Sequence, residues 1–388
     1  MAQTIELGQA KVSPDQSPVG SPSKVSAIHA LRGVAALLVV WSHLSGFWLL
    51  SNDQTSIAQS LWQDWIVTPF HVYQNAGHLG VVLFFLISGY VITLASLRET
   101  RAQFAIKRIM RIAPALVVAV LVSGALLALA YATSTNLIGV NGGSPLHWIE
   151  SLVLVDGFFP GGFVIDVTWT LVVEVVFYLM TFAFLSISKV TPLKATWLMA
   201  GVWVVLSVIS LNVGFISSRG NGWAAFYVAF LLVGRLIFLA QRRLIAYVDG
   251  AILVAVILTL YMLFVERAQP GFLLAPGGWK GIEPLVAYVT ALLAFLALLR
   301  WNPARLFRPF RFFGDISYSL YLLHLPVGIT VLNLLFLAHV PNDLNVVVAI
   351  AVAIAVAYLS YRFVERPSQR WARAILKKIG TRGASAKN

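Results

Sequence analysis

Three ionisable side chains lie inside stretches that are otherwise apolar enough to be buried in lipid. Arg32 and His43 share the run IHALRGVAALLVVWSHLSGFWLL at 28–50, and Glu174 sits in DVTWTLVVEVVFYLM at 166–180. Such groups are costly in a membrane span and as a rule face a bundle interior or a watery cavity. Arg32 and His43 are eleven positions apart. At ~100° per residue they return to within ~20° of each other, separated by ~16 Å along the axis. Arg is permanently charged and can hold a phosphate or a carbonyl oxygen. His can take up and return a proton near neutral pH. Glu174 has Thr170 one turn before it and Tyr178 one turn after. It is expected to pair with a cation or an imidazole, and Arg32 and His43 are the candidates. A carboxylate beside the imidazole would orient it and stabilise its protonated form. The structural alternatives are a snorkelling Arg, a His bonded to backbone and a plain buried ion pair.

Lys107, Arg108 and Arg111 in FAIKRIMRIAPAL (104–116) fall, with Phe104, on one side of a helix. They would seat a polyanion, since Arg forks grip phosphate; by composition alone they are equally ordinary membrane-flanking charge. His324 in GDISYSLYLLHLPV (314–327) follows Asp315, placed here as the cap of its helix. It could be a second site histidine or a helix-to-helix hydrogen bond, and the latter is the preferred reading. Ser88 and Gly89 in FFLISGYVITLA suit close helix packing rather than a Ser nucleophile. No His/carboxylate cluster has metal-ligand spacing, so no metal is expected.

These residues have to be positioned by membrane helices. Of the 388 residues 59% are hydrophobic and 11% charged, and mean hydropathy is +0.84. A soluble domain is nearer half apolar and a quarter charged. Ten runs approach spanning length, at about 28–49, 79–97, 113–133, 168–187, 195–214, 223–240, 245–265, 285–300, 316–338 and 345–363. The fold class is therefore an all-α integral membrane bundle of about ten transmembrane helices. With the N-terminus in the cytoplasm, all 28 basic residues but Arg219, Arg267 and Lys280 fall in cytoplasmic segments or adjoining helix ends. One helix more or fewer would scramble that alternation, so both termini are expected to be cytoplasmic. The net charge of +13 is then a consequence of topology, and no nucleic-acid partner is expected.

Residues 1–24 are polar and rich in Ser and Pro, an expected disordered tail without the pattern of a signal peptide. Residues 368–388 form a basic tail, suited to anionic lipid at the bilayer surface. Cys is absent, which excludes disulfides and thiolate or acyl-cysteine chemistry. Two long outer loops follow from the topology. Residues 50–78 carry Trp62, Trp65, Phe70, His71, Tyr73 and His78; residues 134–167 carry NGGSP and Glu150, Asp156 and Asp166. Rings with scattered carboxylates would suit a sugar, whose apolar faces stack while its hydroxyls need acceptors. Packing against the bundle would explain them equally.

Taken in order, these segments resemble the membrane-bound acyltransferase-3 family. The resemblance rests on Arg32-Gly33 with His43 eleven positions after the Arg, FFLISGY at 84–90, and KRIMR at 107–111 with its Arg-x-x-Arg. It continues through TWTLVVEVVFY at 168–178, ISYSLYLLHLP at 316–326 and VERP at 364–367. One departure is Thr170, where the family commonly has Ser. The resemblance implies a transmembrane acyltransferase domain over 25–367 in a bacterial cytoplasmic (inner) membrane. It implies O-acyl transfer, most often of acetyl from acetyl-CoA, to a hydroxyl of a carbohydrate such as a cell-surface polysaccharide, lipid-linked sugar or glycolipid. His43 would be the general base, Glu174 its orienting partner and Arg32 the group the pantetheine arm passes. Arg108, Arg111 and Lys107 would take the coenzyme A phosphates. Two other classes compete. A transporter or flippase would use Arg32, His43 and Glu174 as a substrate or proton path, although no internal repeat is present; a non-enzymatic scaffold would have no need of His43.

Overall fold

The computed structural model describes residues 22–158, 161–212, 221–269, 282–301 and 307–385. Of the expected N-terminal tail, residues 1–21 lie outside them, as do Arg219, Lys280, Arg305 and Lys387. Among the described residues there is no strand, only an isolated bridge between Val140 and Ile165.

Ten apolar helices carry the fold. Helix α1 runs from Pro22–Trp41 through a π-helical segment Ser42–Phe47 to Trp48–Ser51. It is followed by α2 Gly77–Ser96, α3 Arg101–Ala132, α4 Thr168–Ala183 and α5 Pro192–Asn212. Then come α6 Val228–Gln241, α7 Tyr247–Ala268, α8 Ile282–Trp301, α9 Arg311–Leu337 and α10 Asn342–Ser360. A π-helical turn, Tyr361–Glu365, joins α10 to the basic amphipathic α11, Arg366–Ser385. Nine described helices are long and apolar enough to cross a bilayer, and α4, with 16 residues, is the short tenth. All ten expected apolar runs are therefore helical, nine of them at spanning length. Asp315 is not the cap of α9, which starts a turn earlier at Arg311.

Local chemistry explains the ends. Thr100 and Gln103 form a reciprocal capping box at the start of α3. Ser56 and Ser144 cap the surface helices Ile57–Trp62 and Pro145–Leu152. Pro114 sits inside α3 and frees the Met110 carbonyl one turn before it, which a membrane helix tolerates where neighbours satisfy the freed group; Ser368 of α11 donates to that carbonyl at 2.7 Å.

The helices at the centre approach through glycines. A Cβ on Gly33 of α1 would lie 2.5 Å from the Phe310 carbonyl oxygen and 2.6 Å from the Gly314 nitrogen, while one on Gly314 would lie 2.3 Å from the His29 carbonyl oxygen. Reciprocally, a Cβ on Gly89 of α2 would lie 2.0 Å from the Leu231 carbonyl oxygen and one on Gly234 of α6 2.2 Å from the Leu86 carbonyl oxygen. Without a hydrophobic drive between helices in lipid, such close backbone approach supplies the packing. The outer helices instead turn Leu121, Val205, Leu263, Leu293 and Val347 outward, as a lipid-facing surface should.

Pairing fixes direction. His29–Asp315, His43–His324 and Trp48–Asn333 climb α1 and α9 in step, so the two are parallel. Glu365 returns to Ser319, which places the start of α11 on the same face of the bundle as the start of α1. That shared face carries the basic residues at the helix ends.

We predict that Gly33→Ala, which forces backbone apart, costs ~1–3 kcal/mol. Gly201→Ala meets nothing within 4 Å and should be neutral or stabilise by up to ~1 kcal/mol. Thermal unfolding of the two variants in the same detergent measures the difference.

Candidate active site

Two chambers lie end to end between α1, α2, α4 and α9. The inner one, about 50 Å³, lies nearer the basic face and is lined by Arg32, Arg111, Glu174, Ser88 and Thr170, with Phe84, Phe85, Tyr318 and Leu322 around them. The outer one, about 650 Å³, is lined by His43, Ser42, Tyr73, His78, Asn141, Asp166, Trp169 and Tyr227. Among the described residues only Val81 and Tyr321 line both.

The inner chamber is a charge cluster held by backbone and hydroxyls. Arg32 donates from Nη2 to the Gly314 carbonyl at 2.8 Å, a contact that the glycine crossing makes possible, and its buried Nε has no partner among the described residues. Glu174 accepts from Tyr178 at 2.5 Å and from Ser88 at 3.1 Å. Behind them Glu365 accepts from the backbone N–H and the hydroxyl of Ser319, within electrostatic reach of both guanidiniums. Two cations and two carboxylates thus share a low-dielectric space, where each is worth more than in water.

His43 stands at the floor of the outer chamber, in the π-helical segment, a local geometry frequent at functional sites. Its Nδ1 lies 2.9 Å from Nε2 of the fully buried His324. Nδ1 of His324 faces only acceptors, the carbonyls of Tyr321 at 2.8 Å and Leu320 at 3.1 Å. In the neutral pair that nitrogen must carry the proton, so Nε2 of His324 accepts from Nδ1–H of His43. The lone pair of His43 is then on Nε2, the nitrogen a general base would use.

The walls of the outer chamber are aromatic and amide. Tyr73 and Tyr227 pack edge-on against His78, and Trp169 against Tyr227. Asn141 donates to Asp166 at 2.8 Å and to the Phe163 carbonyl at 2.7 Å. His71, Gln74, Asn75 and Ala76 all take left-handed backbone, a run of strain of ~1–3 kcal/mol per residue, and Ser42 donates to the Gln74 carbonyl at 2.7 Å. Below the loop wall, Asp156 accepts from the Val164 N–H at 2.8 Å, and burial pushes its carboxyl above the ordinary range.

Several expectations change. Arg32 and His43 both face the interior but line different chambers. Glu174 bonds Tyr178 and Ser88 rather than His43, whose orienting partner is His324. Lys107, Arg108 and Arg111 do not form one seat. Lys107 and Arg108 hold Glu99 at 2.8 and 3.3 Å, with Arg108 also over the Phe104 and Tyr178 rings, while Arg111 points into the inner chamber. Of the rings in 50–78, only Tyr73 and His78 reach the outer chamber; Trp62 packs on Trp41, and Trp65 and Phe70 stay exposed. No group of His or carboxylate side chains suited to a metal occurs among the described residues.

Residues 25–362 match the Acyl_transf_3 family, described as an acyltransferase domain. The chain belongs to this acyltransferase-3 family. It is 25% identical to proteins named "Putative O-acetyltransferase" from Staphylococcus aureus strains COL, MSSA476 and N315, over 88–89% of its own length. It spans 57% of the length of those relatives. No solved structure matches.

Sequence reasoning preferred a helix-to-helix hydrogen bond to a site role for His324, and the bond to His43 is such a contact; it passed over Glu365, although both lie in acyltransferase-3 motifs, ISYSLYLLHLP and VERP. The available signal was a His and a Glu in or beside apolar spans, the same signal that marked His43 and Glu174.

We predict that His324→Leu, which leaves a buried His43 N–H without its acceptor, costs ~1–3 kcal/mol. It should also remove most acyltransferase turnover, while His324→Gln, which keeps an acceptor, retains more. Unfolding midpoints and turnover measured on both variants test this.

Proposed function

We propose that the protein is an integral-membrane O-acyltransferase moving a short acyl group, acetyl above all, from an acyl-CoA to a hydroxyl of a carbohydrate. The observation that carries this reading is the pair of end-to-end chambers, cationic toward the basic face and His43-floored toward the other. A transporter or flippase would also need such a path, but membership of an acyltransferase family favours group transfer.

In this reading the donor enters from the basic face. Lys107 and Arg108, neighbours of Arg111 on α3 that also hold Glu99, take phosphate oxygens, with Arg forks giving bidentate grip. Arg111 and Arg32 line the route of the pantetheine arm and donate to its carbonyls, and the narrow chamber suits a small acyl group. The basic face is cytoplasmic by the positive-inside rule, as it would be in a bacterial inner membrane. The acceptor enters the outer chamber, where Tyr73, Trp169 and Tyr227 offer ring faces to a sugar and Asn141 and Asp166 offer polar partners to its hydroxyls.

The chemistry follows from the His43 tautomer. Nε2 takes the acceptor hydroxyl proton as the oxygen attacks the thioester carbonyl carbon. The C–S bond breaks, and the proton passes from the imidazolium to the departing thiolate. Nδ1–H stays on His324 throughout, so the ring keeps its orientation without a carboxylate. General-base catalysis of this kind contributes ~10²–10⁴-fold.

Three outcomes are expected when purified protein is supplied with labelled acetyl-CoA and a membrane glycan fraction. His43→Ala and His43→Gln should both fold and lose ~10²–10⁴-fold in transfer, and full activity in either would remove the general-base role. Arg108→Ala should raise the donor KM ~10–100-fold with kcat nearly kept, the signature of lost uniform binding, and Arg108→Lys should recover part of it. Arg111→Ala should lower kcat as well, because its side chain lies inside the chamber; a pure KM effect would place it with Arg108.

A further inference from the structure

The two chambers are separated by a thin septum of known composition. Tyr321 and Val81 line both. Tyr321 is buried and its hydroxyl receives the Thr170 hydroxyl bond at 2.8 Å, while Thr170 and Tyr321 both also reach the Val167 carbonyl, at 3.0 and 3.4 Å. The Phe84 ring stands edge-on to the Tyr321 ring. Trp169 faces the outer chamber and its neighbour Thr170 the inner one, so the first turn of α4 closes the septum against α9. The backbone carbonyl of Tyr321 holds His324, which places the septum directly beside the two-histidine pair.

We propose that Tyr321, tied to Thr170 and backed by Val81, is a gate that keeps water of the outer chamber from the donor thioester. It thereby decides whether the acyl group goes to a sugar hydroxyl or to water. This rests on the acyltransferase reading above. His43 Nε2 cannot distinguish a water O–H from a sugar O–H by basicity. A water that reached the thioester would therefore react along the same route: its oxygen bonds the carbonyl carbon, the C–S bond breaks, the proton passes through His43 to the thiolate, and a carboxylic acid and free coenzyme A result. The outer chamber is thirteen times the volume of the inner one (about 650 against 50 Å³) and is wide enough for many waters. Selectivity therefore has to come from a barrier, and the only described side chains shared by the two chambers supply it. An acceptor sugar stacked on Trp169 and Tyr227 lies against the α4 turn that carries Thr170, so its binding can draw the Thr170–Tyr321 pair apart as it displaces water.

The test measures thiol release from acetyl-CoA with no acceptor present, using the full chain in detergent, together with acetyl-CoA binding by equilibrium dialysis. Tyr321→Ala, at acetyl-CoA concentrations where dialysis shows it saturated, should hydrolyse acetyl-CoA at least tenfold faster than the unaltered protein. Adding His43→Ala should abolish the increase. Thr170→Val keeps the volume and removes the hydroxyl tie, and should raise hydrolysis by a smaller factor; it serves if Tyr321→Ala unfolds. Hydrolysis at the unaltered rate in a folded variant that still binds acetyl-CoA would overturn the gate and leave the acyltransferase reading standing. Failure of the unaltered protein to bind acetyl-CoA would overturn that reading, and the gate with it.

Discussion

The backbone-to-backbone contact of α1 with α9 at Gly33 and Gly314 is the constraint on which the rest depends. It brings the helices close enough for Arg32 to reach the Gly314 carbonyl, which gives an intramembrane cation a fixed acceptor. Because the helices run parallel, the same crossing sets the register of His29 with Asp315, His43 with His324 and Trp48 with Asn333. A side chain at either glycine would push apart not one contact but a ladder. The second glycine crossing, α2 on α6, performs the same service for the opposite wall, where Ser88, next to Gly89, meets Glu174.

The chemistry of the interior follows from how each polar group is paired. Glu174 and Glu365 are held by hydroxyls and backbone N–H groups rather than by direct ion pairs, which leaves the guanidinium edges of Arg32 and Arg111 facing the inner chamber. His43 is oriented by a neutral imidazole whose own proton is pinned on backbone carbonyls. A neutral partner adds no charge to a lipid-embedded site and still fixes the tautomer, which is the part of the usual carboxylate's role that geometry demands.

Much of this was legible in the sequence because bilayer thickness and the positive-inside rule are strong constraints. They gave the ten spans, and with them the placing of N- and C-terminal ends on one face, which the ladder of α1–α9 contacts and the return of Glu365 to Ser319 bear out. Arg32, His43 and Glu174 stood out because charge within an apolar run is rare. What could not be read was pairing across helices. Nothing in the spacing of Lys107, Arg108 and Arg111 reveals that Glu99 claims the first two while the third turns inward. Nor does the apolar run of α1 signal the π-helical turn at Ser42–Phe47, which shifts the helical phase after Trp41. His324 was visible as a residue but not as a partner, since 281 positions separate it from His43. The aromatic outer loop illustrates the same limit, because composition cannot say which rings turn in.

In the proposed mechanism the donor and acceptor chambers open to opposite faces of the membrane. The natural absence of Cys makes this directly measurable, because one introduced thiol is the only thiol. In sealed, uniformly oriented vesicles, an impermeant maleimide on the basic face should label Lys107→Cys and not Gln74→Cys, and acetyl-CoA on that face should protect it. The same reagent on the other face should label Gln74→Cys alone, with no protection by acetyl-CoA. Labelling of both positions from one face, or protection of Gln74→Cys by acetyl-CoA supplied from its own side, would contradict the account.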